Sequence, residues 1–526
     1  MSARNLFLSW LWLQPLAAAA DGPALLGEGD DQTLSQRQAV VPSSTHLRLR
    51  LQATGQQLRI QQRGILQAGP WNLSVLNERD PGEGRWNDHV VGFAQRTGQH
   101  LDLVIGHLRP AFGQGLLFGR GRSTSVPSPM PRHDGSNLGY RSAAEGHTIR
   151  GAAIRKRSSW WTAAWLVGGL RWDARIADDG VAVSLPEDGD HSGTGPTKRD
   201  RLRGAVFAGR WRLHTHGADL GLSVQRLSFA RVVDLRREET PYAFHGRGQW
   251  ATAVDLGLRR GRIRWYGAIA RAGTRLGMLA GASAITVVGM RLDVLGRWYG
   301  PGFFVPLGAA ASGGAMDNER GLTAQVRRRG FRLWMDVTAR PAPRWRKPLP
   351  SWKRGGGVHV QRHSGPWEWS GDLQRRVGSL WLANIPGVES TYRARLQGRW
   401  SPGEVRLTMR TDGVHYRRIM ATPAGYVQRG VAGSVALRWR QHRVQLEGLA
   451  TLFITDGYGA RVYEYEPELP EAISIRPIYG RGTRLVAVMR VSLRSFVISA
   501  RWRVQVWATG MRHTAGLQID RRSRIR

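Results

Sequence analysis

From Arg484 to Val506 the chain alternates with a period of two. Leu485, Ala487, Met489, Val491 and Leu493 fall on one side of an extended segment, and Arg484, Arg490 and Ser492 on the other. The next run repeats the pattern, with Phe496, Ile498, Ala500, Trp502, Val504 and Val506 opposed to Ser495, Ser499, Arg501, Arg503 and Gln505. Successive side chains of a strand point to opposite faces, so this periodicity predicts strands with one apolar and one polar face. It recurs far away. Ile263, Trp265, Gly267 and Ile269 oppose Arg262, Arg264 and Tyr266, while Ala394, Leu396 and Trp400 oppose Arg393, Arg395, Gln397 and Arg399. The stretch "GSVALRWRQHRVQLEGLATLF" reads as two such strands joined near Gln441. Strand candidates run from Leu47 almost to Asp520, separated by Gly, Pro, Asp and Asn clusters, with no amphipathic helix between them.

Alternation does not say which face points inward. A soluble sandwich hides the apolar face in a core, whereas a membrane barrel turns it to lipid. Three features favour the barrel. Many runs reach the ~9–11 residues that cross a bilayer when tilted, longer than the ~5–6 of globular strands. The polar face is rich in arginine, which suits a wet lumen. Twenty-two tryptophans, several near strand ends as at Trp250, Trp400 and Trp439, suit an aromatic girdle. The expected fold is therefore all-β: a large antiparallel transmembrane β-barrel of about 22–26 strands. Outer loops are expected at Arg122 to Glu145, Asp178 to Asp200 and Arg340 to Gly355.

The first residues, "MSARNLFLSWLWLQPLAAAADG", carry Arg4, an apolar run from Leu6 to Leu16 and then Ala17 to Ala20. That is the order of a secretory signal peptide. Its apolar part is shorter than the ~20 residues a spanning helix needs, as is "WWTAAWLVGGL" from Trp160. The division expected is a signal peptide over 1–20, an irregular leader over 21–44, the barrel over 45–520 and a basic tail over 521–526. The predicted location is the bacterial outer membrane.

Net charge is +38, and all but Lys156, Lys198, Lys347 and Lys353 of the 77 basic residues are arginine. Such a chain has nucleic acid, anionic lipid or anionic glycan as candidate partners. Cysteine is absent, which excludes disulfides, thiol nucleophiles and cysteine-held metals. "IRKRSSWW" from Ile154 and "RWRKPLPSWKRG" from Arg344 interleave cations with aromatic rings. This suits single-stranded nucleic acid, but equally lipid phosphates at a membrane interface. With a barrel the interface is favoured, and nucleic acid is not expected as a partner.

Three stretches carry a resemblance. "LNERDPGEGRWNDHVVGFAQRTGQHLDLVIGHLRPAFGQGLLFGRGRS" holds Phe112, Gly113, Gln114 and Gly115. "RWYGPGFFVPLGAAASGGAMDNERGLTAQV" holds Asn318, Glu319, Arg320 and Gly321, and "RVYEYEPELPEAISIRPIYGRGTRLVAVMRV" follows from Arg461. In this order the chain resembles the large bacterial outer-membrane β-barrels usually fused to an N-terminal helix-hairpin-helix domain of the competence-protein type. The resemblance implies a barrel of poorly defined role and supplies no catalytic residues. The helix-hairpin-helix module is expected to be missing, since Asp21 to Thr45 is too short for it. The ending "QIDRRSRIR" lacks the terminal aromatic that assists barrel assembly, and the last strand is expected at His513 to Asp520.

Glu464, Glu466 and Glu468 share one parity, so an extended segment aims them together. Pro467 and Pro470 take the segment out of a regular ladder. The expectation is an inward-folded segment that packs against lumen arginines such as Arg484, Arg490, Arg501 and Arg503, because arginine pairs with carboxylates in a fork. A cation or ligand site there, or an exposed loop, are the alternatives. The FGQG glycines suit a close backbone approach, since no P-loop lysine or helix follows. "GTGPTKRD" from Gly193 lacks P-loop spacing. Glu187, Asp188, Asp190 and His191 match no calcium loop and read as a solvated loop. His214 and His216 share a strand face with no third metal ligand, and no serine is marked as activated. Neither enzyme activity nor cofactor nor metal is expected.

The function expected is a monomeric channel or transport pore with an arginine-rich, partly plugged lumen favouring an anionic solute, inserted in outer-membrane lipid by the assembly machinery. A non-conducting outer-membrane anchor or assembly partner is the alternative. A secreted basic protein binding nucleic acid or glycan is a second.

Overall fold

A computed structural model describes residues 43–525, apart from 84, 121–126, 143–147, 187–197, 346, 383–384 and 422–424. The proposed signal peptide and nearly all of the leader, the acids Glu187 to Asp190 with His191, and most of "GTGPTKRD" lie outside the described residues. So do the expected loop residues 122–126 and 143–145.

The dominant sheet has 26 strands; setting aside the short Arg175–Ile176 and Ala182–Ser184 leaves a wall of 24 antiparallel strands. Each wall strand pairs with its neighbour in chain order. The wall closes where Ser43–Thr54 pairs with Gly510–Ile525, in register from Ser43 opposite Ile525 to Thr54 opposite Thr514. Closure removes every free sheet edge, which is what lets strands cross hydrocarbon. The chain is therefore a transmembrane β-barrel.

The polar face points in and the apolar face out. Along Arg481–Leu493, Arg484, Val486 and Val488 are buried while Leu485, Ala487 and Met489 are exposed. Leu396, Ile105 and Leu452 are 70%, 68% and 66% exposed. Leaving such side chains in water forfeits ~25 cal/mol per Å² of apolar surface, so this band requires lipid around it.

The two ends of the wall differ. Connections on the side of the chain termini are short, as at 69–70, 261–262, 329–330, 365–366, 442–443 and 494–495. Connections on the other side include 109–148, 173–201, 300–318 and 456–480. Tryptophans gather at the short-turn end: Trp71 and Trp367 open their strands, Trp265 and Trp439 lie near strand ends, and Trp400 closes one. Trp367 stacks on Trp369 at 5.5 Å and packs on Trp400 at 6.0 Å. Rings with an apolar body and a polar edge suit this interface.

Three boundaries differ from the sequence reading. Wall strands span 8 residues at Leu101–Leu108 to 17 at Ala218–Asp234, because pairing continues beyond the bilayer height. Residues 521–525, expected as a tail, belong to the closing strand, where Ser43 to Leu47 pair them. The loop expected to run to Gly355 ends at 350. Gly355 to Gly357 stay in the strand Ser351–Ser364, paired with Trp334 to Asp336, and the Trp334 ring occupies the space at Gly355 and Gly357, where a Cβ on Gly357 would lie 2.8 Å from its indole nitrogen.

Two long loops fold inward and fill one side of the barrel. Phe112, Leu116, Leu117, Phe118 and Leu138 from one, and Phe303, Val305 and Leu307 from the other, join wall residues such as Phe93, Leu170, Leu227 and Leu279 in one core. The loops hold each other: Gly119 N donates to Leu307 O at 3.0 Å and Ala309 N to Gly115 O at 2.9 Å.

Candidate lumen site

On another side of the lumen, the strands Val462–Glu466 and Ser474–Ile478 form a hairpin that pairs only with itself. Its parity aims Glu464 and Glu466 at the wall. Glu466 spends both oxygens on arginine, accepting from Arg484 Nη1 at 2.6 Å and Arg501 Nη2 at 2.7 Å, with Arg503 Nη1 at 3.6 Å. All four side chains are buried. Glu468 meets Arg501 Nε at 3.3 Å, and its backbone carbonyl accepts from Arg490 Nη2 at 3.0 Å. The seven residues picked from sequence thus meet in one cluster, with one exception in role. Glu464 Oε1 accepts from Thr451 at 2.6 Å, while its other oxygen is buried without a hydrogen bond, 3.9 Å from Arg484. Burial pushes the Glu464 carboxyl up, further than Thr451, Arg410 and Arg484 pull it down.

Sequence reasoning missed the rest of the clamp. Arg395 and Arg410 donate to the Tyr463 carbonyl at 3.2 and 2.7 Å, and Arg50 to the Pro470 carbonyl at 2.6 Å. Glu471, at the hairpin turn with φ of 61°, reaches Arg48 at 2.9 Å, Arg63 at 3.3 Å and Arg522 at 3.5 Å. These arginines lie on the polar parity of their strands, so the facing was legible, but not the partner. A cavity of about 230 Å³ remains beside Glu471, lined by Arg50, Arg59, Arg63 and Glu78.

Against a partial burial that acts the other way, the Arg48 hydrogen bond and charge, with His46 and Arg63, hold the Glu471 carboxyl below the usual glutamate range. A depressed acid stabilises docking above its ordinary value of 4.5 and loses that contribution as pH falls through the lower docked value. Cleavage of the hairpin turn by an acid-active protease should therefore rise below that window in the parent and be flatter in Glu471→Gln. Parallel profiles for the two would contradict this.

The FGQG and Asn-Glu-Arg-Gly motifs belong to the apolar side. Gly113 and Gly115 have φ of 51° and 87°, and a Cβ on Gly113 would lie 2.6 Å from the Asp255 carboxyl. Gly113 N donates to Asp134 at 2.7 Å, and Asp134 and Asp255 together hold the buried Arg210. Gln114 exchanges two 3.1 Å bonds with the backbone of Arg132, and Phe112 meets Phe118 edge-on. Asn318, at φ of 49°, exchanges bonds of 2.6 and 2.9 Å with the backbone of Ala342. Glu319 takes Arg297 at 2.7 Å and Arg340 at 3.0 Å, while Arg320 faces outward and Gly321 makes room for Arg297. Both motifs lock inner loops to the wall.

The remaining candidates are placed as follows among the described residues. His214 ends a wall strand, His216 lies in the next turn, and no group of three metal-ligating residues occurs among the described residues. Of the two basic-aromatic stretches, the first places Lys156 over the Trp161 ring at 5.8 Å at the short-turn end, and the second places Arg354 over Trp352 at 5.1 Å.

No protein-family model matches the sequence, and no curated protein matches it significantly. Solved structures do align. The FrpB iron transporter of Neisseria meningitidis, in its apoprotein form, is 8% identical over 92% of this chain and 81% of its own, with a TM-score of 0.40. The PapC usher translocation pore is 9% identical over 92% of this chain and 100% of its own, at 0.36. OccK2 of Pseudomonas aeruginosa is 10% identical over 91% of this chain and 97% of its own, at 0.31. The architecture of this chain rests on its own closed wall of paired strands.

Proposed function

We propose that this protein is a monomeric outer-membrane pore whose water-filled passage favours anions and is narrowed by the inner hairpin. The supporting observation is an asymmetry in the cover over inward-facing side chains. Under the inner segments several are sealed: Asp293, Thr323, Ser499 and Gln518 are 0% exposed. Along Ser351–Ser364, Trp367–Leu382 and Ile385–Trp400 they keep solvent access, as at Lys353, His359, Gln361, Asp372, Gln374, Arg376, Arg393 and Arg399. The register of these strands puts Lys353, Arg376, Arg393, Arg395 and Arg399 on the inner face with Glu368, Asp372 and Glu389. A narrow wall with surplus fixed positive charge raises the local anion concentration. A cavity of about 400 Å³ among the outer loops, lined by Arg150, Arg171, Arg199 and Arg237 with Asp88 and Asp173, supplies a charged vestibule.

The test is single-channel recording of the refolded chain in a planar bilayer under a KCl gradient. Steady steps with an anion-directed reversal potential are expected. Cation-directed reversal would overturn the selectivity. Insertion without current would favour the second reading, a non-conducting anchor or assembly partner, which the extent of lumen filling by three inward segments supports.

A further inference from the structure

We infer that Arg376 and Arg393 form a binding site for a small oxyanion of the phosphate class on the passage wall. Arg376 pairs across the ladder with Thr391, and Arg393 with Gln374. The two arginines are thus diagonal neighbours on the same inner face, with backbones about 7–8 Å apart. Lys353, opposite Gly378, stands diagonally beyond Arg376 on the adjoining strand. Arg376 thus has a cation on either diagonal, Arg393 on one side and Lys353 on the other.

Among the described residues, several in-plane donors of the two arginines have no partner. Nε and Nη2 of Arg376 and Nε of Arg393 are buried without hydrogen-bond partners, as is Oε1 of Gln374 between them. Of the carboxylates on these strands, Asp372 meets His359 at 2.9 Å and Glu389 accepts from Tyr416 at 3.2 Å. Asp336 is bound to Arg297 at 3.0 Å and Thr323 at 2.6 Å, and Asp412 to Arg395 at 2.7 Å and Arg410 at 2.5 Å. What the guanidiniums do have is aromatic company. Arg376 lies over Trp334 at 5.9 Å, and Arg393 over the hairpin's Tyr463 at 5.3 Å. A ring holds a guanidinium by its flat face and offers nothing to the N–H groups in its plane. Those N–H groups form the fork that matches an oxyanion. Cationic donors with no partner in the chain are costly to bury, and an oxyanion arriving from the passage can satisfy several of them at once. A hydrogen phosphate also carries a hydroxyl that the Gln374 oxygen accepts, which sulfate and chloride lack at neutral pH.

The inference rests on the passage reading only for access to the site; binding is measured without conduction. The first experiment is calorimetric titration of the full chain, folded in detergent, with inorganic phosphate at constant ionic strength, and with sulfate in parallel. Saturable phosphate binding is expected, tighter than sulfate, and weakened about tenfold or more in the double variant Arg376→Met, Arg393→Met. The Lys pair at the same positions keeps the charge, loses the fork and should fall between. If the Met pair fails to fold, Gln374→Leu tests the same point through loss of the preference for phosphate over sulfate. Unchanged affinity in the Met and Lys pairs, or no saturable binding by the parent, overturns the site. A chain that binds phosphate but never conducts keeps the site and loses the pore. A chain that conducts anions without saturable phosphate binding keeps the pore and loses the site.

Discussion

Replacement of Glu466 by alanine is expected to release the inner hairpin. The parent carboxylate is the shared partner of Arg484 and Arg501, with Arg503 close by, all buried. Removing one member of a buried charge cluster leaves the others uncompensated, which typically costs about 3–5 kcal/mol. The wall strands that carry these arginines are held by their own ladders. The cost therefore falls on the hairpin, whose only strand pairing is internal. A change of about 3–5 kcal/mol shifts the docked-to-undocked ratio by roughly two to four orders of magnitude. Recordings should show larger or flickering steps, and limited proteolysis should cut near Glu468 to Ile473 from the outer side. Glu464→Gln is the matched control: that carboxyl is raised by burial and has one oxygen without a hydrogen bond, so its loss should leave docking unchanged or firmer. Equal conductance and equal proteolysis in Glu466→Ala and parent would remove the clamp from the account.

The second large effect is expected at Arg297, which no sequence signal marked. Its side chain is fully buried and holds Glu319 at 2.7 Å, Asp336 at 3.0 Å, Thr323 at 2.8 Å and Thr338 at 2.6 Å. Gly321 is required beneath it, since a Cβ there would lie 2.3 Å from the guanidinium carbon. In Arg297→Met, Glu319 keeps Arg340 and Asp336 keeps two threonines, but both lose their shared counter-charge. The expected loss is about 3–5 kcal/mol, read as an earlier urea midpoint for loss of the heat-modifiable folded band. The double variant Arg297→Met, Asp336→Asn should recover part of it, because Glu319 keeps Arg340 and no carboxylate is left without a cation. A midpoint for Arg297→Met at or above that of the parent would show that this network does not stabilise the barrel.

Much of the lumen clamp was legible. The even parity of Glu464, Glu466 and Glu468, the prolines after them and the arginines at 484, 490, 501 and 503 were enough to place the segment inside against that wall. The contribution of the first hairpin was not. Arg48 meets Asp520 at 2.7 Å across 472 positions of sequence, and Arg50 meets the Pro470 carbonyl across 420. Nothing local to either residue records such a partner, because barrel closure creates it.

Strand periodicity, the approximate number of strands and the segregation of arginine to one face were determined by the sequence alone, because a strand alternates its side chains whatever surrounds it. Which face met lipid was argued from length and girdle, but only the closed wall decided it, since alternation is symmetric under exchange of its two faces. The tertiary structure alone also decided which inward arginines are neutralised and which are left open. Three loops of one chain compete for a single lumen, and the side they leave uncovered is a property of how they pack together.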